Sequence, residues 1–402
     1  MSTEFKENKK TRLIFLDNIK LLFAILVIFQ HVRVTYQGMG WWYYIEPDQS
    51  LVALDLLSEI VFQTLASFGG LLQASLMGLF FLMGGFFTPK SYDRKGVTLF
   101  WKERLLRLGI PLLLYILVVN PFIYYILAIL GIHPWDTYSS LQGSLLDYYL
   151  AQFESITQLV DFLTSPGPMW FLFVLLIFSA LYTLWRQVSK VDSIQQYIPN
   201  EIPIPSNIYL FLLALILGLG TFLVRIISPM DEFPLGIPLG SLIQYLMMFS
   251  VGVIAVRNDW FQKMSKEHLK VWSRIIVGTY VAFFLYFIIV LGVDTDTSIF
   301  LGGSPPTLEA LLFALADNLV SMGMIFVLIP LFYTRFNSQS PLIQNLSASS
   351  YHIYLVHAPI LVAVSLVFAS IPLLPIIKLV IVFPLTILLC YLTSHFIFRK
   401  IL

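Results

Sequence analysis

The chain has 402 residues, of which 58% are hydrophobic and only 12% are charged, and its mean hydropathy is +0.83. A soluble domain cannot bury that much apolar surface, so this composition excludes a soluble globular protein and indicates a polytopic membrane protein. The formal net charge of +1 argues against nucleic acid as a partner. The single cysteine excludes a disulfide framework and a thiolate metal cluster.

The amino terminus is basic, but no short apolar core followed by a small-residue cleavage site comes after it. Met1–Arg12 is therefore predicted to be a cytoplasmic segment rather than a cleaved signal peptide. The predicted organisation is a cytoplasmic tail over 1–14, one membrane domain over 15–398 and a cytoplasmic end over 399–402. No internal repeat is evident, so nothing favours an inverted-repeat transporter.

Ten apolar stretches are long enough to cross a membrane, because a spanning helix needs about 20 mostly apolar residues. They cover 15–38, 68–88, 105–131, 168–186, 207–227, 238–256, 271–292, 308–333, 349–369 and 373–398. Alternate connections carry most of the Lys and Arg residues, whereas the connections between them carry mainly Asp and Glu. Basic residues favour the cytoplasmic side. The sequence therefore predicts an all-α bundle of about ten transmembrane helices with both termini in the cytoplasm.

Two acidic segments on the predicted outer side have helical spacing and no basic residue, namely 51–65 and 141–163. Such amphipathic segments are typical of helices that lie in the membrane interface. Two roles are open for them: covers packed on the bundle, or part of a surface that binds an acceptor.

The first apolar stretch, "LDNIKLLFAILVIFQH", carries Asp17, Lys20 and His31. Lys20 and His31 are eleven residues apart, which is about three helical turns, so they share one helix face and lie ~16 Å apart along the axis. Asp17 is three residues before Lys20, on a neighbouring part of that face. The aromatic run over 40–44 is interpreted as an outer aromatic belt. That belt would place Lys20 near the cytoplasmic interface and His31 in the outer half of the membrane.

Ionisable groups within a membrane are expensive, at roughly 2.5–3.5 kcal/mol for Lys or Asp on insertion scales. Each of these groups has a structural and a functional interpretation. Asp17 and Lys20 form an interfacial ion pair, or they belong to a polar site. His31 is a hydrogen-bonded core histidine, or it takes part in chemistry.

Five segments carry a resemblance to a known family. They are "LDNIKLLFAILVIFQH" (16–31), "GLFFLMGGFFTPKSYDRKG" (78–96), "FWKERLLRLGIP" (100–111), "GPMWFLFVLLIFS" (167–179) and "SSYHIYLVHAPIL" (349–361). Taken in this order, they resemble the motifs of the acyltransferase-3 family of integral membrane acyltransferases, and most closely its glucan biosynthesis protein C-like branch. The chain has Lys20 where the family usually has Arg, and Gly84 where it usually has Ser.

The resemblance implies an enzyme that transfers acyl groups other than aminoacyl groups. It implies transfer of an acyl group, of the acetyl or succinyl class, from cytoplasmic acyl-CoA to a hydroxyl of an extracytoplasmic glycan or cell-envelope acceptor. The expected location is the cytoplasmic membrane, as a multi-pass protein. Acyl-CoA is then a co-substrate, and no bound cofactor is expected. No His/Asp/Glu cluster has metal-ligand spacing, so no metal is expected either.

With the resemblance, His31 is the predicted catalytic residue. A neutral imidazole can take the proton of an attacking hydroxyl as a general base, or it can be acylated and carry the acyl group. Arg104 and Arg107 are three residues apart and are predicted to lie on one helix face. They are predicted to bind the phosphates of CoA, because guanidinium groups suit phosphate recognition. Lys20 would add a point charge. Positive-inside anchoring at the lipid headgroups is the alternative for the two arginines.

Four further residues are possible supporting groups. Asp17 is the neighbour of Lys20, and Tyr354 stands three residues before His357 in the ninth stretch. His357 either orients a ligand or completes a structural hydrogen-bond network. Asp317 lies in the eighth stretch, and two roles are open for it: it binds an acceptor sugar, or it pairs with Arg225 or Arg33.

Two other functions remain open on sequence alone. Intramembrane charges also mark the substrate pathways of transporters and exporters. A non-catalytic partner in a glycan-synthesis complex is the third possibility, because Lys20 and Gly84 depart from the family pattern.

Overall fold

We describe a computed structural model of the protein over residues 13–37, 42–46, 56–132, 143–190, 199, 201–291 and 297–398. Within these ranges the regular secondary structure is helical, without a strand. The predicted cytoplasmic segment Met1–Arg12 and the predicted end over 399–402 lie outside the described residues.

The α-helices of the described ranges are α1 (Ile14–Gln37), α2 (Leu56–Arg104), α3 (Ile110–Leu114), α4 (Asn120–Ile129), α5 (Leu145–Ala151), α6 (Ile156–Leu163), α7 (Trp170–Val188), α8 (Asn207–Ile227), α9 (Leu239–Arg257), α10 (Trp260–Lys263), α11 (Lys266–Leu285), α12 (Leu308–Arg335), α13 (Pro341–Ala369) and α14 (Pro375–Thr393). Wider π-helical turns cover Leu105–Gly109, Tyr115–Val119, Tyr286–Leu291 and Ser394–Phe398. Short 3₁₀ turns cover Gly167–Met169, Pro234–Gly236 and Thr297–Phe300.

Eight helical segments of the described chain are long and apolar enough to cross a membrane. One of them, Gly69–Ile129, has 61 residues and contains both the second and the third predicted stretch. The seventh predicted stretch, 271–292, corresponds to α11 and the π-helical turn that ends at Leu291. The structure therefore confirms an all-α, multi-pass helix bundle, as expected in a bilayer, where backbone hydrogen bonds must be made within helices.

A reversal at Gly96 divides the long second helix and brings its end back along itself. Gly96 has a φ of 71°, which a residue without a side chain adopts easily. The rings of Tyr92 and Phe100 then meet at 5.4 Å. Arg104 returns to the level of Thr88, to which it donates a hydrogen bond. The turn therefore creates a helical hairpin, rich in basic residues, at the end of the second span.

Close packing of α2 against α9 depends on two glycines. A Cβ on Gly85 would overlap the carbonyl oxygen of Phe249, and a Cβ on Gly252 would overlap that of Leu82. Small residues at such crossings let helix backbones touch within a membrane. This contact fixes α2, and with it the hairpin, against the rest of the bundle.

The described part of the predicted interfacial segment 141–163 forms the short helices α5 and α6. Phe153 and Ile156, at the junction of these helices, are 62% and 82% exposed. The Tyr149 hydroxyl donates to the Leu117 carbonyl at 2.5 Å, which ties the segment to the third span. Exposed apolar side chains on a segment tied to a span fit the predicted interfacial position.

The other predicted interfacial segment, 51–65, is described from Leu56 onward, where it forms the first turns of α2. It is therefore an extension of the second span rather than a separate helix. Whether either segment contacts an acceptor stays a prediction.

The predicted orientation can be tested by cysteine labelling. Glu154 and Lys263 are exposed, whereas Cys390, the single native cysteine, is buried. In intact cells, Glu154→Cys should react with a membrane-impermeant thiol reagent and Lys263→Cys should not. The unmodified protein is the matched control. Labelling of Lys263→Cys alone would reverse the predicted orientation.

Candidate active site

The first helix holds an ion pair near its amino-terminal end. Lys20 Nζ lies 2.8 Å from Asp17 Oδ1, so the predicted pairing of these two residues is present. Lys20 Nζ also lies 4.7 Å from the centre of the Phe87 ring, on α2. The Lys20 side chain is 39% exposed, and exposed pairs of this kind contribute only about 0–1 kcal/mol to stability. The pair therefore adds little to the stability of the protein.

The Arg104 side chain contacts the same turn of α2 that the side chain of Lys20, on α1, contacts. Its Nη2 donates to Thr88 Oγ1 at 2.6 Å, and its guanidinium stands 5.2 Å from the Phe100 ring centre. Thr88 directly follows Phe87, the residue under Lys20. The structure thus brings Lys20 and Arg104 to one turn, although 84 positions separate them in the chain.

Arg107 is placed differently from Arg104. The arginine pair was predicted to share a helix face, but the chain forms a π-helical turn from Leu105 to Gly109. The α-helical spacing behind that prediction does not apply to such a turn. Arg107 is exposed, whereas Arg104 is partly buried. The Arg107 carbonyl accepts a hydrogen bond from the Tyr351 hydroxyl, which joins this turn to α13.

Aromatic stacking brings the two predicted histidines together. The ring of His31 on α1 lies 3.9 Å from Trp42 and 5.2 Å from His357 on α13, centre to centre. The planes are nearly parallel, at 21° and 22°. Tyr354 stacks on His357 at 5.7 Å, and its hydroxyl donates to the Pro168 carbonyl at 2.7 Å. Three separate parts of the chain therefore converge at His31.

The predicted aromatic belt is wrong for residues 42–44. Trp42, Tyr43 and Tyr44 are buried, with at most 5% of their surface exposed. The segment folds back over the end of α1, where the Glu46 N–H donates to the Thr35 carbonyl at 2.8 Å. Their aromatic rings pack inside the bundle instead of facing lipid headgroups. Gly40 and Trp41, the remainder of the proposed belt, lie outside the described residues.

Hydrogen bonding assigns the neutral tautomer of His357. Its Nδ1 lies 2.5 Å from the Tyr354 carbonyl oxygen, which can only accept, so Nδ1 carries the proton. Nε2 is then an acceptor, and it is buried without a partner among the described residues. The His31 ring likewise makes no hydrogen bond to a described residue. Unsatisfied ring nitrogens inside a protein are uncommon, and these two rings are free to accept a hydrogen bond from another group or to donate one to it.

Asp317 has structural partners. Its Oδ2 lies 2.8 Å from Arg225 Nη2, and its Oδ1 accepts from Gln244 Nε2 at 2.9 Å. Asp317 and Arg225 are both fully buried. The pairing with Arg225, one of the alternatives that the sequence left open, is therefore present, and each carboxylate oxygen accepts a hydrogen bond within the bundle. Binding of an acceptor sugar by Asp317 stays a prediction.

A second buried ion pair was not predicted. Lys378 Nζ lies 2.9 Å from Glu46 Oε1, with side-chain exposures of 3% and 6%. It connects the segment after α1, which carries Trp42, to α14. The sequence signal for this pair was a single lysine within the last apolar stretch, because a lysine inside a membrane needs a partner.

These observations define a class of protein: an all-α, multi-pass membrane protein with basic side chains at one end of α1 and a stacked histidine pair farther along it. A family model described as an acyltransferase domain matches residues 13–395, nearly the whole chain. The chain belongs to this acyltransferase-3 family, and the family supports an acyltransferase activity, as predicted. No curated protein and no solved structure matches the chain.

Proposed function

We propose that this acyltransferase moves an acyl group of the acetyl or succinyl class from cytoplasmic acyl-CoA to a hydroxyl of an extracytoplasmic glycan or envelope acceptor. The proposed location is the cytoplasmic membrane. The observation that carries this proposal is the stacked pair of His31 and His357, whose rings lie 5.2 Å apart inside the bundle. His31 shares its helix with Lys20, so the proposed donor site and the proposed reaction centre lie on one element.

The donor site is proposed at the turn that Lys20 and Arg104 share. CoA carries several phosphate charges, and a guanidinium and an ammonium that contact one turn suit them. Arg107 is exposed nearby in the chain and would add a further charge. The distance of ~16 Å along α1 from Lys20 to His31 would be spanned by the flexible pantetheine arm. The thioester would then lie beside the histidine pair.

The proposed chemistry uses the free nitrogens of the two rings. As the acceptor oxygen bonds to the thioester carbonyl carbon, His31 takes the hydroxyl proton, the carbon–sulfur bond breaks, and the proton passes to the CoA thiolate. In the alternative, a His31 nitrogen attacks the thioester carbonyl carbon, the carbon–sulfur bond breaks and CoA leaves as the thiolate. The acyl-imidazolium then passes its acyl group to the acceptor hydroxyl, whose proton goes to the CoA thiolate. His357 Nε2 would accept a hydrogen bond from a neighbouring hydroxyl of the acceptor.

Two observations favour this proposal over a transporter. Buried charges within apolar stretches, taken on sequence alone, also suit a substrate pathway. In the structure, Asp317 and Lys378 both have partners within the bundle. A buried charge that has a partner within the bundle does not need a substrate to balance it. Family membership also supports acyl-transfer chemistry.

The proposed function is tested with purified protein in vesicles that receive acetyl-CoA or succinyl-CoA, labelled in the acyl group, and an envelope glycan fraction. We expect label to enter the glycan as an ester that mild alkali removes. Failure to transfer label from either donor, with folded protein present, would contradict the proposal.

Lys20 gives a prediction about donor binding. Lys20→Arg should keep acyl-CoA affinity, because arginine keeps the charge and presents a planar fork of N–H donors. Lys20→Met should weaken acyl-CoA binding by about 1.5–3 kcal/mol, the size of one lost charge-assisted hydrogen bond. Calorimetric titration of the purified variants with acetyl-CoA measures both effects.

The double variant Asp17→Asn/Lys20→Met is the matched control, because it removes the ion pair without leaving a carboxylate unpaired. Under the proposal it binds acetyl-CoA as weakly as Lys20→Met. Equal affinity of the wild type and both variants would refute donor recognition by Lys20 and leave the ion pair as its role.

A further inference from the structure

Arg33 is a buried cation on α1, two residues beyond His31. Its side chain is within the protein, and the residue is only 4% exposed. Arg33 Nε donates to Gln30 Oε1 at 3.0 Å, and Nη1 donates to Gln37 Oε1 at 2.9 Å. Both partners are neutral amides from the same helix, so they satisfy hydrogen bonds without balancing the charge.

The neighbouring residues on α1 and α2 position the Arg33 guanidinium and leave space for it. Gln30 Nε2 donates to the Gly69 carbonyl at 2.5 Å, which orients the amide so that its oxygen faces Arg33. A Cβ at Gly69 would overlap the Arg33 side chain. Glycine on α2 therefore leaves the space that the guanidinium occupies.

The other buried cations of the described bundle have acidic partners, and Arg33 has none there. Arg225 pairs with Asp317, and Lys378 pairs with Glu46. Arg33 forms no ion pair with a described residue, and its Nη2 makes no hydrogen bond to one. An uncompensated buried charge costs several kcal/mol, and a bound anion would offset that cost.

We propose that Arg33, held by Gln30 and Gln37, binds a carboxylate or phosphate of a substrate. A guanidinium presents paired N–H groups that match the oxygens of either anion. Arg33 lies beyond His31 on the side away from Lys20, so this anion is distinct from the proposed CoA phosphates. Its source is the free carboxylate of a dicarboxylic acyl chain or an anionic group on the acceptor, and this part of the inference rests on the proposed function.

Matched probes distinguish the two sources. Succinyl-CoA and acetyl-CoA differ by a carboxylate on the acyl chain, and glycerol 1-phosphate and glycerol differ by a phosphate beside a hydroxyl. Titrated into the purified wild type, the anionic member of one pair should bind about 10- to 100-fold more tightly than its neutral partner. The pair that shows the preference identifies the source of the anion.

Three variants separate binding from folding. Arg33→Gln should abolish the preference, Arg33→Lys should keep part of it, and Gly69→Ala should reduce it by displacing the guanidinium while retaining the charge. Without ligand, Arg33→Gln should unfold at a temperature no lower than the wild type, because it removes an uncompensated buried charge.

The inference is overturned if the wild type binds both members of each pair equally, if Arg33→Gln keeps the preference, or if Arg33→Gln unfolds several degrees below the wild type. Failure of the wild type to bind either acyl-CoA would contradict the proposed donor. The glycerol 1-phosphate pair would then still decide the role of Arg33.

Discussion

Replacing His31 with alanine should lower kcat for acyl transfer by about 10²–10⁴-fold, the range that a positioned general base contributes. The amount of folded protein in the membrane should stay the same, because the His31 ring makes no hydrogen bond to a described residue and loses only its stacking on Trp42 and His357. The measurement is the rate of label transfer from acetyl-CoA by equal amounts of purified wild type and variant.

Thr35→Val is a suitable matched control for this experiment. Thr35 lies one turn beyond His31 on α1, and its hydroxyl donates to the His31 carbonyl rather than to the ring. The control variant should retain the wild-type rate. A wild-type rate in His31→Ala would remove His31 from the mechanism. The general base and the acyl carrier can also be separated, since only the carrier leaves a labelled imidazole when the protein meets donor without acceptor.

Arg225→Met should strongly destabilise the protein. It removes one partner of a pair whose side chains are both fully buried, and the Asp317 carboxylate is left in the bundle with only the neutral partners Gln244 and Ser321. Breaking a buried ion pair costs about 3–5 kcal/mol. Unfolding of the purified variant, followed by circular dichroism in detergent, measures the loss.

The double variant Arg225→Met/Asp317→Leu distinguishes a structural pair from a functional one. Replacing both charges with apolar groups is often neutral for stability, so most of the lost stability should return. Acyl transfer should return with it if the pair serves the structure alone. A stable double variant without activity would instead assign the pair a role in the reaction.

The helical bundle could be predicted because its signals are local. Stretches such as 207–227 and 308–333 contain enough apolar residues to span a bilayer, and they form α8 (Asn207–Ile227) and α12 (Leu308–Arg335). The Asp17–Lys20 pair was foreseeable for the same reason, since residues three apart on a helix are neighbours.

The centre of the site depends on contacts that no local pattern encodes. His31 and His357 are 326 positions apart, and only the packing of α1 against α13 makes them stack. Trp42 follows a segment whose composition matched an aromatic belt, yet the chain folds back and buries it against His31. Arg33 could be noticed as a charge in an apolar helix, but its lack of an acidic partner among the described residues emerges only from the surrounding side chains.

The most direct test of the proposed mechanism is an experimental structure of the purified protein with a non-hydrolysable acyl-CoA analogue. We expect CoA phosphates at Lys20 and Arg104, with the carbonyl that replaces the thioester beside the rings of His31 and His357. Phosphates bound at the opposite end of α1, or an acyl carbonyl remote from His31, would contradict it.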